Sequence, residues 1–115
     1  MQKAGEKLIV CGDFNIAHNK IDLSYPNEKM VGFRPEEREI IDEILSNGFI
    51  DAFRKINPDL EEYSWIKYKN RNEGENKGLR LDYFFVSDNL KAKVKNSYIM
   101  KKDLSDHNPI VLELD

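Results

Sequence analysis

The chain has 115 residues, of which 40% are apolar and 34% charged, with a net charge of −3 and one cysteine. That is the size of one domain, and the composition excludes a disordered chain and a disulfide scaffold. No apolar run nears the ~20 residues a membrane helix needs, and the opening MQKAGEK lacks the apolar stretch of a secretory leader, so a cytoplasmic protein is expected.

In chain order, KLIVCG reads as a short buried strand closed by a glycine, with Cys11 as a small apolar side chain. Asp13 and Asn15 follow at its end. A turn explains Gly12, Asp13 and Asn15 without chemistry. A phosphate-hydrolysing site explains them too: the carboxylate activates a water, and the amide bonds a phosphate oxygen or steadies that carboxylate. His18 fits a structural hydrogen-bonder as well as a catalyst.

SYPNEK reads as loop, and PEEREIIDEILSNG as a helix. Pro35 suits its first position, Glu36 and Glu37 the positive end of its dipole, and Gly48 its stop. Ile40, Ile41, Ile44 and Leu45 form its apolar face. FIDAF reads as a short strand and YSWIKY as an alternating one. KNRNEGENKG is a polar loop. LRLDYFFVS is rich in aromatic and β-branched residues and reads as a strand. KVKNSYIM and PIVLEL are further strands, joined by the loop KKDLSDHN. The expected class is α+β, a mostly antiparallel sheet of five or six strands with one main helix on one face.

LIVC, YFFV and IVL are apolar on both faces, and one helix covers only part of one face. The other face calls for a partner layer, so the chain reads as half of a larger fold. Charge is uneven as well: residues 63–102 hold ten Lys or Arg against four acids, which suits either a polyanion-binding face or a solvated lysine-rich surface.

Asp82 lies within LRLDYFFVS and shares a face with Phe84 and Val86, opposite Leu81, Tyr83 and Phe85. A carboxylate there either sits at the strand's entrance, still solvated beside Arg80, or is buried and orients a histidine. His107, in LSDHNPIVLEL, is the candidate partner, with Asp106 beside it in the turn before the last strand.

GDFN early, an Asp in an apolar strand and a late SDH resemble the endonuclease/exonuclease/phosphatase superfamily. GDFNIAHNKIDL, GFRPEEREIIDEIL, WIKY, NKGLRLDYFFVS and SDHNPI, in that order, are similar to the exonuclease III family of abasic-site endonucleases, from about Leu8 to the end. The resemblance implies a four-layer sandwich of two α+β halves, of which this chain matches the C-terminal one. It also implies a magnesium (or manganese) dependent nuclease acting on double-stranded DNA with abasic sites, cutting 5′ to the lesion and trimming 3′ to 5′. Asp13 matches the carboxylate that activates or positions the water, Asn15 the orienting amide, His107 the histidine on the scissile phosphate, and Asp82 its holder. Asp106 matches a metal or metal-water ligand, with Asp13 sharing the ion. Trp65, Leu79 and Leu81 match the pocket for the flipped-out sugar, and Asn27 matches a backbone-contacting Asn.

Two departures stand out. The stretch between IDL and GF is short, only SYPNEKMV, and Arg34 stands where a capping Ser or Thr is usual. Without the half that brings the family's metal-binding Glu, the chain is expected to be a fragment or truncated product with little nuclease activity. It should bind its missing half or itself through the uncovered sheet face. The alternatives are a non-catalytic nucleic-acid-binding half-domain and another phosphoesterase of the superfamily.

Overall fold

A computed structural model describes residues 6–25, 28–66, 78–102 and 105–115. The elements run β1 (Ile9–Asp13), a 3-10 turn (Lys20–Asp22), α1 (Pro35–Ser46), β2 (Phe49–Asp51) and α2 (Ala52–Ile56). They continue with β3 (Trp65–Ile66), β4 (Gly78–Leu79), β5 (Asp82–Ser87), a 3-10 segment (Asp88–Lys93), β6 (Val94–Ile99) and β7 (Ile110–Leu114). The class is mixed α and β with antiparallel pairing, as expected. The single sheet of five or six strands is instead divided, among the described residues, into β1-β5-β2, β3-β4 and β6-β7. No helix among them is long and apolar enough to cross a membrane.

The division has a local cause at Arg80 and Leu81. The expected strand 79–87 breaks there, so β4 ends at Leu79 and β5 starts at Asp82. Arg80 leaves the ladder because its backbone N–H donates to the Asp22 carbonyl at 2.7 Å and its side chain enters a buried ionic network. FIDAF is likewise only half strand. Asp51 ends β2 and accepts the Arg54 backbone N–H at 3.3 Å, capping α2, so Ala52 and Phe53 are helical.

α1 begins as expected at Pro35. Arg34 offers no acceptor, and Glu37 reaches back instead: its Oε1 accepts from the N–H groups of Gly32 and Arg34 at 2.9 and 3.1 Å. At the other end Gly48 takes a φ of 88°, the left-handed stop. The buried stripe centres on Ile41, with Ile44 and Leu45 partly covered. Ile40 is 49% exposed, because one residue's 100° rotation carries it off that stripe.

Strand parity holds on β5. Tyr83 and Phe85 stack at 5.0 Å beneath α1, and Phe14 meets both edge-on. Phe84 and Val86 face the other way, into the cluster of Ala52, Leu90, Val94 and Leu112. β1 departs from expectation. It is an edge strand of its sheet, and every residue of it is exposed, with Ile9 at 45% and Val10 at 42%. β1 is therefore an apolar strand that the other described residues leave uncovered.

Candidate active site

The β1–β5 register determines the site. Antiparallel pairing sets Asp13 directly opposite Asp82, and two like charges in that position repel. His107 resolves the conflict. Its Nδ1–H donates to Asp82 Oδ2 at 2.9 Å, and its Nε2 lies 3.7 Å from Asp13 Oδ2. The imidazole is thus bracketed by the two carboxylates, and all three offer ligand atoms within 4.8 Å of one another.

Burial is the largest single influence and opposes a charge on His107, but the Asp82 hydrogen bond and the charges of Asp82, Asp13 and Asp106 together outweigh it. The net result is a proton held above the ordinary histidine range. The bond to Asp82 keeps the proton on Nδ1 and leaves Nε2 on the Asp13 side of the ring. Asp82 sits at the first position of β5 with its side chain 15% exposed. It stands at the strand's entrance and orients the histidine, while Arg80 pairs elsewhere.

Asp13 is held from below. The Asn15 backbone N–H donates to Asp13 Oδ1 at 2.8 Å in an Asx turn, and Asn15 takes a φ of 56°. Asn15 bonds this carboxylate through its main chain, not through its side-chain amide. The carboxylate of Asp106 accepts the Trp65 indole N–H at 3.1 Å and lies outside the Asp13–Asp82–His107 group. His18 is a structural hydrogen-bonder: Nε2 meets Asp42 Oδ1 at 2.6 Å, and its backbone N–H donates to the Tyr83 hydroxyl.

Beside this group lies a cavity of about 250 Å³ lined by Leu23, Ser24, Tyr25, Met30, Trp65, Gly78 and Leu79. Trp65 and Leu79 are among its lining residues. Leu81 does not; it packs in the cluster behind, with Ala17, Leu23 and Phe33. Asn27 lies outside the described residues. Gly78 lets β4 approach β3, for a Cβ there would fall 2.4 Å from the Trp65 carbonyl oxygen.

The supporting network was not anticipated. Arg80, 1% exposed, donates Nε–H to Asp22 Oδ1 at 2.8 Å and both terminal nitrogens to the two Asp51 oxygens. Arg54 adds a second guanidinium to Asp22. Burial alone would raise the Asp22 pKa, but Arg80, Arg54 and the Asn19 N–H hold it below the usual range. Burial likewise opposes the Arg80 charge, and Asp51 and Asp22 more than reverse that. The signal lay in the sequence: IDL, FIDAF and LRL each place one charge between apolar neighbours, and such charges are buried only when paired.

The chain belongs to the endonuclease/exonuclease/phosphatase family, whose model matches residues 1–107. Among curated proteins it is 43% identical over 109 residues to an exodeoxyribonuclease of Bacillus subtilis, covering 91% of this chain and 43% of that protein. It is 43% identical over 115 residues to the DNA repair nuclease APEX1 of Danio rerio, covering 96% of this chain and 37% of that one. The chain therefore spans less than half the length of these relatives. Among solved structures, an AP endonuclease from Archaeoglobus fulgidus superposes with a TM-score of 0.85 at 28% identity, over 95% of this chain and 46% of that one. A 3′ phosphatase from Neisseria bound to a product DNA hairpin does so with 0.83 at 28% identity, over 95% and 45%.

Proposed function

We propose that this chain is the C-terminal, His107-bearing part of a divalent-metal-dependent DNA repair nuclease that hydrolyses the phosphodiester 5′ to abasic sites and trims 3′ ends. The observation that carries it is the single imidazole bracketed by Asp82 at 2.9 Å and Asp13 at 3.7 Å. Its raised proton affinity keeps the cationic form available. Nε2–H then donates to a phosphate oxygen and meets the charge that grows there during attack. Asp13, steadied by the Asn15 N–H, accepts the proton of the attacking water. Trp65 and Leu79 give the apolar cavity for an extruded sugar, whose flipping costs least where no base is paired.

Exposed carboxylates with no soft ligand among them suit Mg²⁺ or Mn²⁺. By the family resemblance Asp13 and Asp106 would share such an ion, which would neutralise phosphate charge and make a bound water more acidic; Asp106 would have to turn from the Trp65 indole toward Asp13 to do so. Two carboxylates are few for such an ion, so the chain alone should hold it weakly and cleave little. The uncovered strand β1 would receive the half-fold that completes the site, or a second copy of this chain.

The test is a single-chain fusion of this sequence to the N-terminal half of the Bacillus subtilis relative, assayed with Mg²⁺ on duplex DNA carrying an abasic analogue. Incision 5′ to the lesion is expected, and His107→Gln should slow turnover by about 10²-fold or more, the scale of losing one charge-stabilising donor. A folded fusion that binds DNA in a salt-sensitive way but never cuts it would favour the nucleic-acid-binding module instead.

A further inference from the structure

We propose that Ser64 is a positioning residue that locks the Asp82 and His107 ends of the site into one register. The inference rests on the nuclease reading and deepens it.

Ser64 is fully buried. Its hydroxyl oxygen accepts two successive backbone N–H groups, from Leu81 at 2.8 Å and Asp82 at 3.0 Å. These amides fall at the break between β4 and β5, where the side-chain oxygen stands in for a strand partner. The Ser64 carbonyl in turn accepts the N–H of Asn108 at 2.6 Å, one residue beyond His107. One residue thus grips the main chain at Asp82 and next to His107, the two partners of the 2.9 Å bond.

The neighbouring residue extends the grip. Trp65 bridges His107 main chain to main chain, Ile66 N–H donates to the Asp106 carbonyl at 2.9 Å, and the Trp65 indole holds the Asp106 carboxylate. Segment 64–66 is therefore a splint between β4–β5 and the loop that carries Asp106 and His107. Ser64 is its only side chain bonded to the β5 end. Its loss leaves the buried Leu81 amide and the part-buried Asp82 amide without this acceptor and frees β5 to shift against the loop.

A bland buried serine would affect stability alone. A positioning residue must also change the state of His107. The full chain is studied by NMR at a fixed alkaline pH, where imidazole nitrogen shifts report the tautomer and the one tryptophan gives a single indole N–H signal. Ser64→Ala should lose most of the Nδ1–H form of His107 and move the indole signal, while His18 stays unchanged as internal control. Ser64→Cys keeps the volume with a poor acceptor and should behave like Ala. Ser64→Thr keeps the hydroxyl and should restore both signals.

A folded Ala or Cys variant with both signals unmoved overturns the proposal. So does rapid hydrogen exchange at the Leu81 and Asp82 amides of the unmodified chain, a measurement that needs no variant to fold. None of these readouts uses metal, DNA or turnover, so an inactive fusion would sink the nuclease reading and leave this result intact.

Discussion

Arg80 and Asp82 are two residues apart, and each belongs to a cation set between two aspartates. Around Arg80 the arrangement is closed: Asp22 is fully buried, Asp51 nearly so, and the guanidinium is permanently charged. Around His107 it is open: the side chains of His107 and Asp13 are 35% and 37% exposed, and the cation can lose its proton. The same charge pattern is a buried rivet in one place and an open, titratable group in the other. What separates them is how deeply the set is buried and whether the central charge can change.

The comparison can be broken at Arg80 first. Arg80→Leu leaves two buried carboxylates without their shared partner, and the expected loss is roughly 3–5 kcal/mol, read from the urea midpoint. Gly78→Ala comes next. The new Cβ would meet a backbone oxygen, which must move, so β3–β4 should loosen at a cost of about 1–3 kcal/mol; the Trp65 fluorescence should shift with it.

His107→Gln should cost less than about 1 kcal/mol, since both flanking side chains are partly solvated. A larger loss would mean that the open group is a rivet as well. The smallest effects lie in the pH dependence. The folded pKa of His107 is raised above 6.5, so its contribution is complete below that value and fades as pH rises through the raised one. Asp22 behaves oppositely. Its folded pKa lies below 3.8, so its contribution is present above that value and is lost as pH falls through the lowered one. Stability curves of the wild-type chain and His107→Gln should therefore converge at alkaline pH and diverge on the acid side of neutrality.

Much of this was legible because local patterns and long-range needs agreed. Pro35 and Gly48 bound the helix, and β5 kept its parity. Asp82 and His107 could be paired because a carboxylate in an apolar strand demands a partner. The break at Arg80 was not legible, because apolar flanks and aromatic followers describe a strand whether or not a buried acid pulls one residue out of it. Ser64 gave no signal, since a serine before a tryptophan looks the same in a turn, on a surface or under two amides. Asp13 and Asn15 resembled an ordinary turn because they form one; the chemistry arises from what lies across the sheet.

That cross-strand pairing also governs when the site comes into being. Leu8 bonds Ser87 across 79 positions and His18 bonds Tyr83 across 65, so no short local segment of the chain contains Asp13 opposite Asp82. The loop must close before the two carboxylates meet, and closing long loops is the slow part of folding. A nascent chain therefore carries Asp13 and Asp82 long before the two are brought together. The Asp13–Asp82–His107 group forms only when β1 has docked on β5.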